Sequence, residues 1–501
     1  MLSNGPEETI MDTPYCFARR SAAGLSFEGS TSCTLGHRVG AADGIWAWWN
    51  WDGAALTAAN ERYGMYPLYC YSAPDGAGLS PSIPRLIALG ADAELDHAAL
   101  AVFLRLGFFI SDDTPFRHIR ALPPAASLRW DGVLHLASAG KAAPPPASMR
   151  RDAAIDAYIA LFRQSVARRA PSRGEWIMPL SGGRDSRHIL FELLQQGHRP
   201  AQCVTTEHIP PRGSEDVRIA GLLARELGLA HVVLPQPSCR FEPEQRKNLL
   251  TGFCSDEHTW YLVAMDYLAR HKLPVYDGIG GDVLSAGLFA SPRSVALFAS
   301  CDPHAIADGL MVADEAALAR LLPAPLARSV NREVAIEHLA AEVARHLERP
   351  NPIASFYFWN RTRREIALVP YGLLDSLPLV HAPYLDHDLF DLLASLPLAM
   401  VADHALHSDA IARAYPRLAH LPYEDKDADV PSPAQLDARF ARRLARALLA
   451  QRRSPLVRGS FLWPRLLGCL ASERVAAGSA WYANLALYLH QLGMQAPLLR
   501  A

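Results

Sequence analysis

Between residues 175 and 282 the hydrophobic pattern switches repeatedly between two periods. "EWIMPL" (175–180) is a short apolar run that reads as a buried strand ending at Pro179. In "RDSRHILFELLQQG" the apolar residues Ile189, Leu190, Leu193 and Leu194 fall at helical spacing, and Gly197 is a stop signal. "AQCVTT" reads as the next strand, and "SEDVRIAGLLARELG" as a helix with Ser214 as N-cap, Glu215 and Asp216 in its first turn and Gly228 at its end. "LAHVVLP" predicts a further strand, and a helix is expected around 258–271. "LPVYDGIGGD" then predicts a strand running into a glycine loop. Strands alternating with helices predict a parallel sheet with helices on both faces, whose ligands bind beyond the carboxyl ends of the strands.

The flanking regions differ. Residues 40–140 carry short β-like runs, "IWAWWNW" and "YPLYCY", broken by Gly and Asp. "GKAAPPPASMRRD" (140–152) contains three successive prolines and predicts an extended connector, which places a domain boundary there. Residues 300–501 are rich in Ala, Leu and Arg and read as helical.

Composition narrows the function classes. The 501 residues are half hydrophobic and one fifth charged, a globular balance, and suggest two or three domains. A net charge of -2 gives no reason to expect nucleic acid or an anionic membrane as partner. The acidic start is unlike a signal peptide, and no apolar run is long enough to span a bilayer. The eight cysteines are scattered without a Cys-x-x-Cys pair, as expected of reduced thiols in a cytoplasmic protein. Lysine occurs only at 141, 247, 272 and 426, so each is worth locating.

The candidate chemistry lies in two glycine loops. In Ser181-Gly182-Gly183-Arg184-Asp185-Ser186 the glycines let backbone N–H groups converge on an anion, the following helix start adds its own, and Ser181 and Ser186 supply hydroxyls. Asp185 would repel a bare phosphate and makes sense as a magnesium ligand. A tight strand–helix turn accounts for the glycines equally well, but not for an acid between two hydroxyls. The loop Gly278-Ile279-Gly280-Gly281-Asp282 repeats the arrangement after another strand, which favours nucleotide chemistry.

The two loops resemble those of the asparagine synthetase family of ATP pyrophosphatases, with its Ser-Gly-Gly-x-Asp-Ser and later Gly-x-Gly-Gly/Ser-Asp signatures. "NERYGMYPLYCY", "LDHAALAVFLRLGFFISDDTPFRHIRALPPAASL", "SEDVRIAGLLARELGLAHVVL" and "HAPYLDHDLFDLLASLP" resemble further family segments. The resemblance implies an α/β protein of two parts. Residues 1–140 would form a β-rich α+β glutaminase-like domain of the Ntn type. Residues 150–501 would form a doubly wound parallel-sheet ATP-pyrophosphatase domain with a helical C-terminal part. It also implies ATP and Mg2+ as cofactors. Ser181, Gly182, Gly183, Asp185 and Ser186 would bind pyrophosphate with Gly280, Gly281 and Asp282, and Asp185 and Asp282 would hold metal. Lys426, within "HSDAIARAYPRLAHLPYEDKDADVP", resembles the family's late catalytic lysine.

The chain also departs from the family. Glutamine-dependent members carry cysteine after the initiator methionine, whereas this sequence has Leu2, and the Asn-Gly-Glu glutamine-contacting segment is missing. The implied activity is therefore amide-bond formation without glutaminase action, as in the family's β-lactam synthetases and lasso-peptide cyclases. Its substrates would be a small-molecule or peptide carboxylate and an amine, with a biosynthetic partner protein as a further expectation. An enzyme using free ammonia and a silent nucleotide-binding homologue are the alternatives. Ile279 stands where the family has an acid or tyrosine, and Val283 replaces the usual Glu. Arg184 and Arg187 are expected either to contact phosphates or a substrate carboxylate or to be solvated. "CSDEHTW" (254–260), placed on a helix, is expected to line the acceptor pocket, and His188 to be packed or solvated rather than an acid or base.

Overall fold

Alternation in "GIWAWWNW" places Ile45, Ala47 and Trp49 inward, each nearly or fully buried, while Asn50 faces solvent. The computed structural model describes residues 10–22, 24–74, 76–141, 144–171, 174–208, 215–424, 434–450 and 454–495. The N-terminal strands are β1 (Cys16–Ser21), β2 (Gly24–Gly29), β3 (Ser32–Val39), β4 (Asp43–Trp51) and β5 (Leu56–Asn60). They continue as β6 (Tyr69–Ala73), β7 (Gly76–Ser80), β8 (Ile119–Ala121), β9 (Ala126–Trp130) and β10 (Leu134–Ser138). These make two antiparallel sheets, in the orders β2-β1-β7-β6-β8 and β10-β9-β5-β4-β3.

Strands β1, β6 and β7 of the first sheet bury side chains on both faces, whereas edge strand β2 is largely exposed. Cys16, Ala18 and Cys70 join the core shared with Ala47, Trp49 and Leu128 of the second sheet. Phe17, Tyr69 and Tyr71 point the other way, into a core shared with the helices Ile83–Ala88 and His97–Leu106. Residues 144–150 run without regular structure into the helix Arg151–Arg168.

Five further strands follow: β11 (Ile177–Pro179), β12 (Gln202–Thr206), β13 (His231–Leu234), β14 (Val275–Tyr276) and β15 (Val380–His381). They pair in parallel in the order β13-β12-β11-β14-β15. Strand order runs outward from β11 in both directions, so β11 and β14 are neighbours across the point where it reverses, where α/β sheets open a crevice for ligands. Both glycine loops leave these two strands.

Two expectations need correction. The helix expected at 258–271 begins at Leu262. Residues 259–261 form a 3-10 turn, and His258 has φ 73°, a left-handed conformation that ends any helical path through "CSDEHTW". The C-terminal region is largely helical, but it contributes β15, and residues 358–366 and 369–373 wind as π-helix. The expected cap Ser214 lies outside the described residues. None of the helices among the described residues is long and apolar enough to cross a membrane.

The largest core is continuous between the N-terminal sheets and the parallel-sheet region, joining Ala47 and Trp49 to Trp176, Phe358 and Phe390. A buried ion cluster sits on this junction. Arg169, 3% exposed, donates to Asp43 Oδ2 at 2.5 Å and Asp386 Oδ2 at 2.8 Å. Removing the guanidinium breaks both pairs and leaves Asp386 with Arg168 and its helix-start N–H groups, at a cost of about 3 kcal/mol, the low end for a broken buried pair. Arg169→Met is therefore expected to lower the unfolding free energy by that amount, read as a lower denaturation midpoint with an unchanged slope. A loss below about 1 kcal/mol, the range of a surface pair, would contradict this reading.

Candidate active site

The helix Asp185–Gln195 starts directly from the first glycine loop, and its N-cap, Arg184, makes no side-chain capping bond. The first-turn N–H groups are thus not satisfied by a capping side chain, as an anion site requires. Ser186 folds back to close the loop: its Oγ accepts from Ser181 N at 3.0 Å and lies 3.0 Å from Ser181 Oγ. Ser181 Oγ also accepts from Gly183 N at 3.2 Å. Both serines are half-buried. A further carboxylate, Asp216, anchors the loop by accepting from Gly182 N at 2.5 Å.

The second loop closes on Asp185. A Cβ at Gly278 would lie 2.5 Å from Asp185 Cβ, and one at Gly281 would lie 2.5 Å from Asp185 Oδ1 and 2.6 Å from Cγ. Only glycine permits that approach. Gly280 adopts φ 88°, so it too is held as glycine. Asp282 donates its N–H to Asp185 Oδ2 at 3.2 Å, so the two predicted metal ligands meet through the backbone. Asp277, which the sequence reading passed over, shapes the turn by accepting from Ile279 N at 2.8 Å. Burial pushes its carboxyl up to about 6, the Ile279 N–H opposes this, and the charge of Asp282 adds to the rise.

Ile279 and Val283 are both buried in the main core, which explains why this chain has apolar residues there. Arg187 is neither solvated nor a phosphate contact. It is 1% exposed and donates to Leu421 O at 3.0 Å, Pro422 O at 2.6 Å and Gly182 O at 3.2 Å, with its guanidinium 4.0 Å from the Tyr423 ring centroid. Glu424 N donates to Gly182 O at 3.1 Å. Residues 421–424 are thereby strapped onto the first loop. Arg184 donates to Ser408 Oγ at 2.6 Å. Lys426 lies outside the described residues.

Behind Asp185 is a buried polar group that local sequence gave no reason to assemble. His407 Nδ1 lies 3.4 Å from Asp185 Oδ1 and 3.0 Å from Ser285 Oγ, and its Nε2 lies 3.1 Å from both Tyr384 OH and His188 Nδ1. Both histidines are fully buried. Burial pushes His407 down to about 3 and His188 well below its ordinary value, so both rings are neutral. His188 is packed as expected, stacked on Phe162 at 3.7 Å.

"CSDEHTW" forms no metal cluster among the described residues. Ser255 Oγ lies 2.9 Å from His258 Nδ1, the N–H groups of Asp256 and Glu257 donate to Glu365, and Glu257 pairs with Arg361 at 2.9 Å. Three potential ligands outside the two glycine loops do converge: His208, Asp216 and Glu424 bring one donor atom each within 4.8 Å of one another.

The comparison that decides the family covers this geometry. Residues 157–364 match the family model Asn_synthase, asparagine synthase. This segment belongs to the asparagine synthase family. It includes both glycine loops and ends before Tyr384, His407 and the 421–424 strap. Asparagine synthase domains point in general to ATP-dependent amide-ligase activity. No curated protein matches the chain.

Two expectations follow. Gly281→Ala forces a Cβ into the Asp185 carboxylate and overpacks the loop by about 1–3 kcal/mol. It should weaken ATP binding in calorimetry, and unchanged binding would contradict the assigned packing. Burial raises the Asp277 carboxyl above its ordinary value of 3.8 in the folded chain, so folding favours its protonated form. That advantage is complete below pH about 4 and is lost as pH rises through about 6. Asp277→Asn, which cannot ionise, should therefore gain stability relative to wild type between pH 4 and 7 in urea titrations. A pH-independent difference contradicts the shift.

Proposed function

We propose that this chain is an ATP-dependent carbon–nitrogen ligase that adenylates a carboxylate and passes the acyl group to an amine, without hydrolysing glutamine. The observation that carries this reading is the enclosure of Asp185 by a second glycine loop ending in Asp282. We read the parallel sheet within residues 150–501 as a doubly wound ATP-pyrophosphatase fold. Residues 1–140 are read as a glutaminase-like domain that keeps its sheets and lacks its nucleophile.

The donor set fits magnesium. Asp185 and Asp282 offer carboxylate oxygens, Ser181 and Ser186 offer hydroxyls, and the space at Gly281 beside Asp185 is one a Cβ would fill. Asp185 and Asp282 would hold the ion, which would neutralise charge on the nucleotide phosphates when bound. Gly182 and Gly183 would shape the pyrophosphate cradle, their N–H groups holding the loop to Asp216 and Ser181 Oγ, and the uncapped helix start would offer its N–H groups, with Gly280 and Gly281 completing the nucleotide site. Lys426 would stabilise charge on the transferring group, and residues 421–424, strapped by Arg187 to the first loop, lead toward it.

The chemistry runs in two steps. A carboxylate oxygen attacks the α-phosphorus of ATP, a P–O bond forms, and pyrophosphate leaves. The amine nitrogen then attacks the acyl carbon, AMP leaves, and the amine proton is lost to a base. Ile279 and Val283 are apolar and inward-facing, so neither is that base. The Glu257–Arg361 pair is a candidate wall of the acceptor pocket.

The reading without glutaminase activity is supported by Cys16. That thiol is fully buried between the N-terminal sheets, and burial pushes it far above the usual thiol range, which leaves it unsuited to nucleophilic attack.

The test is carboxylate-dependent exchange of labelled pyrophosphate into ATP, and AMP release with added amines, over a panel of acids and peptides. Asp185→Ala is expected to lower both rates by at least about 100-fold, the scale of losing a preorganised charge-stabilising group. AMP formed with glutamine alone, accompanied by glutamate, would overturn the glutaminase-free reading. AMP formed only with ammonium would identify the ammonia-using enzyme, and ATP binding without exchange or AMP release on any substrate would leave the silent nucleotide-binding homologue.

A further inference from the structure

His407 is brought to the site by the helix Leu406–Ala414, more than 200 residues after Asp185 and outside the segment that matches the family model. Its ring is fully buried among four other elements. Tyr158 comes from the helix Arg151–Arg168, His188 from the helix Asp185–Gln195, Ser285 from the end of the helix Gly281–Ser285, and Tyr384 from the 3-10 turn Pro383–Leu385.

The hydrogen-bond inventory fixes which ring nitrogen carries the proton. Ser285 has one hydroxyl proton and donates it to Gly281 O at 2.7 Å, because a carbonyl can only accept. Tyr158 OH donates to Ser285 Oγ at 3.2 Å. Ser285 Oγ is therefore an acceptor toward His407 Nδ1 at 3.0 Å, and Asp185 Oδ1, at 3.4 Å, is an acceptor as well. Nδ1 thus bears the hydrogen and donates it to the Ser285 hydroxyl, with the Asp185 carboxylate 3.4 Å from the same nitrogen. Nε2, with its one lone pair, is left to accept a single hydrogen bond, from Tyr384 OH or His188 Nδ1–H, each at 3.1 Å, and these two groups also lie 3.3 Å from each other. Asp185 has His407 on one side and the second loop on the other: its Oδ1 lies 3.4 Å from Nδ1, within electrostatic reach of that N–H dipole, and its Oδ2 accepts from Asp282 N at 3.2 Å.

We propose that His407 is a positioning residue that sets the orientation of the Asp185 carboxylate for a divalent cation. It lies too deep to meet substrate and acts through Asp185. Ser285, Tyr384 and His188 fix its tautomer and tilt, as outer partners do for metal-ligating carboxylates. This inference rests on the ligase reading, because that reading makes Asp185 a metal ligand.

The experiment is calorimetric ATP binding to the full chain across a magnesium series, comparing wild type with His407→Leu, His407→Asn and Ser285→Ala. Asparagine places an amide N–H near the position of Nδ1–H, whereas leucine removes it. His407→Leu is expected to raise the magnesium concentration for half-maximal ATP binding by about tenfold or more, the usual effect of an outer partner. ATP affinity at saturating magnesium should stay within about threefold, since no phosphate contact is lost. His407→Asn should recover most of the loss, and Ser285→Ala should shift the magnesium requirement in the same direction by less. An unchanged magnesium requirement in folded His407→Leu overturns the inference while leaving the ligase reading intact. If that variant does not fold, an unchanged requirement in Ser285→Ala does the same. An equal loss of affinity at every magnesium concentration would also overturn it, since a general structural role predicts that pattern. If wild type fails to bind ATP at any magnesium concentration, the reading beneath it falls.

Discussion

One close approach organises this molecule: the second glycine loop lies against the side chain of Asp185, with room for a hydrogen but not for a Cβ at Gly278 and Gly281. That contact sets the register between the loops. It requires β11 and β14 to be neighbours, which the parallel pairing of Ile177 with Val275 provides. It also requires a turn tight enough to bring Asp282 N to Asp185, which Gly280 permits through its left-handed backbone and Asp277 fixes by accepting from Ile279 N. Two carboxylates are thereby placed at a strand crevice beside an uncapped helix start.

The surroundings of Asp185 differ on its two sides. Toward the opening lie half-buried hydroxyls and loop N–H groups, suited to an anion that arrives from water. Behind it lie two neutral histidines, Tyr384, Tyr158 and Ser285, in a buried network. Neutral rings there cost less than charged ones in the same place, and they carry the directional N–H that a carboxylate can use. The Arg187 strap adds a third constraint by tying residues 421–424 to the loop carbonyl of Gly182. Sequence alone offered phosphate contact or solvation for that arginine, since a helix-start arginine looks the same whether its guanidinium meets water, a ligand or three carbonyls.

What the sequence made legible was local. Strand–helix alternation located β11 to β14, and paired glycines followed by Asp identified both loops, because backbone freedom and carboxylate chemistry leave a signature within six residues. What it hid was assembled from distant parts. His407 and Tyr384 meet His188 across separations of 219 and 196 residues, Ser285 meets His407 across 122, and nothing in the local pattern of any of them marks the others. The π-helical winding of residues 358–366 and the left-handed His258 depend likewise on tertiary packing rather than on propensity. Asp277 was overlooked because its role is to shape a turn, and an acid after a strand gives no sign of which N–H it will accept from.

The most direct measurement is a crystal structure of the chain with manganese, standing in for magnesium, and a non-hydrolysable ATP analogue, using anomalous scattering to locate the metal. The account predicts an anomalous peak between Asp185 and Asp282, with nucleotide phosphates over Gly182 and Gly183. Metal and nucleotide bound away from these two loops, with Asp185 still enclosed and unengaged, would contradict it.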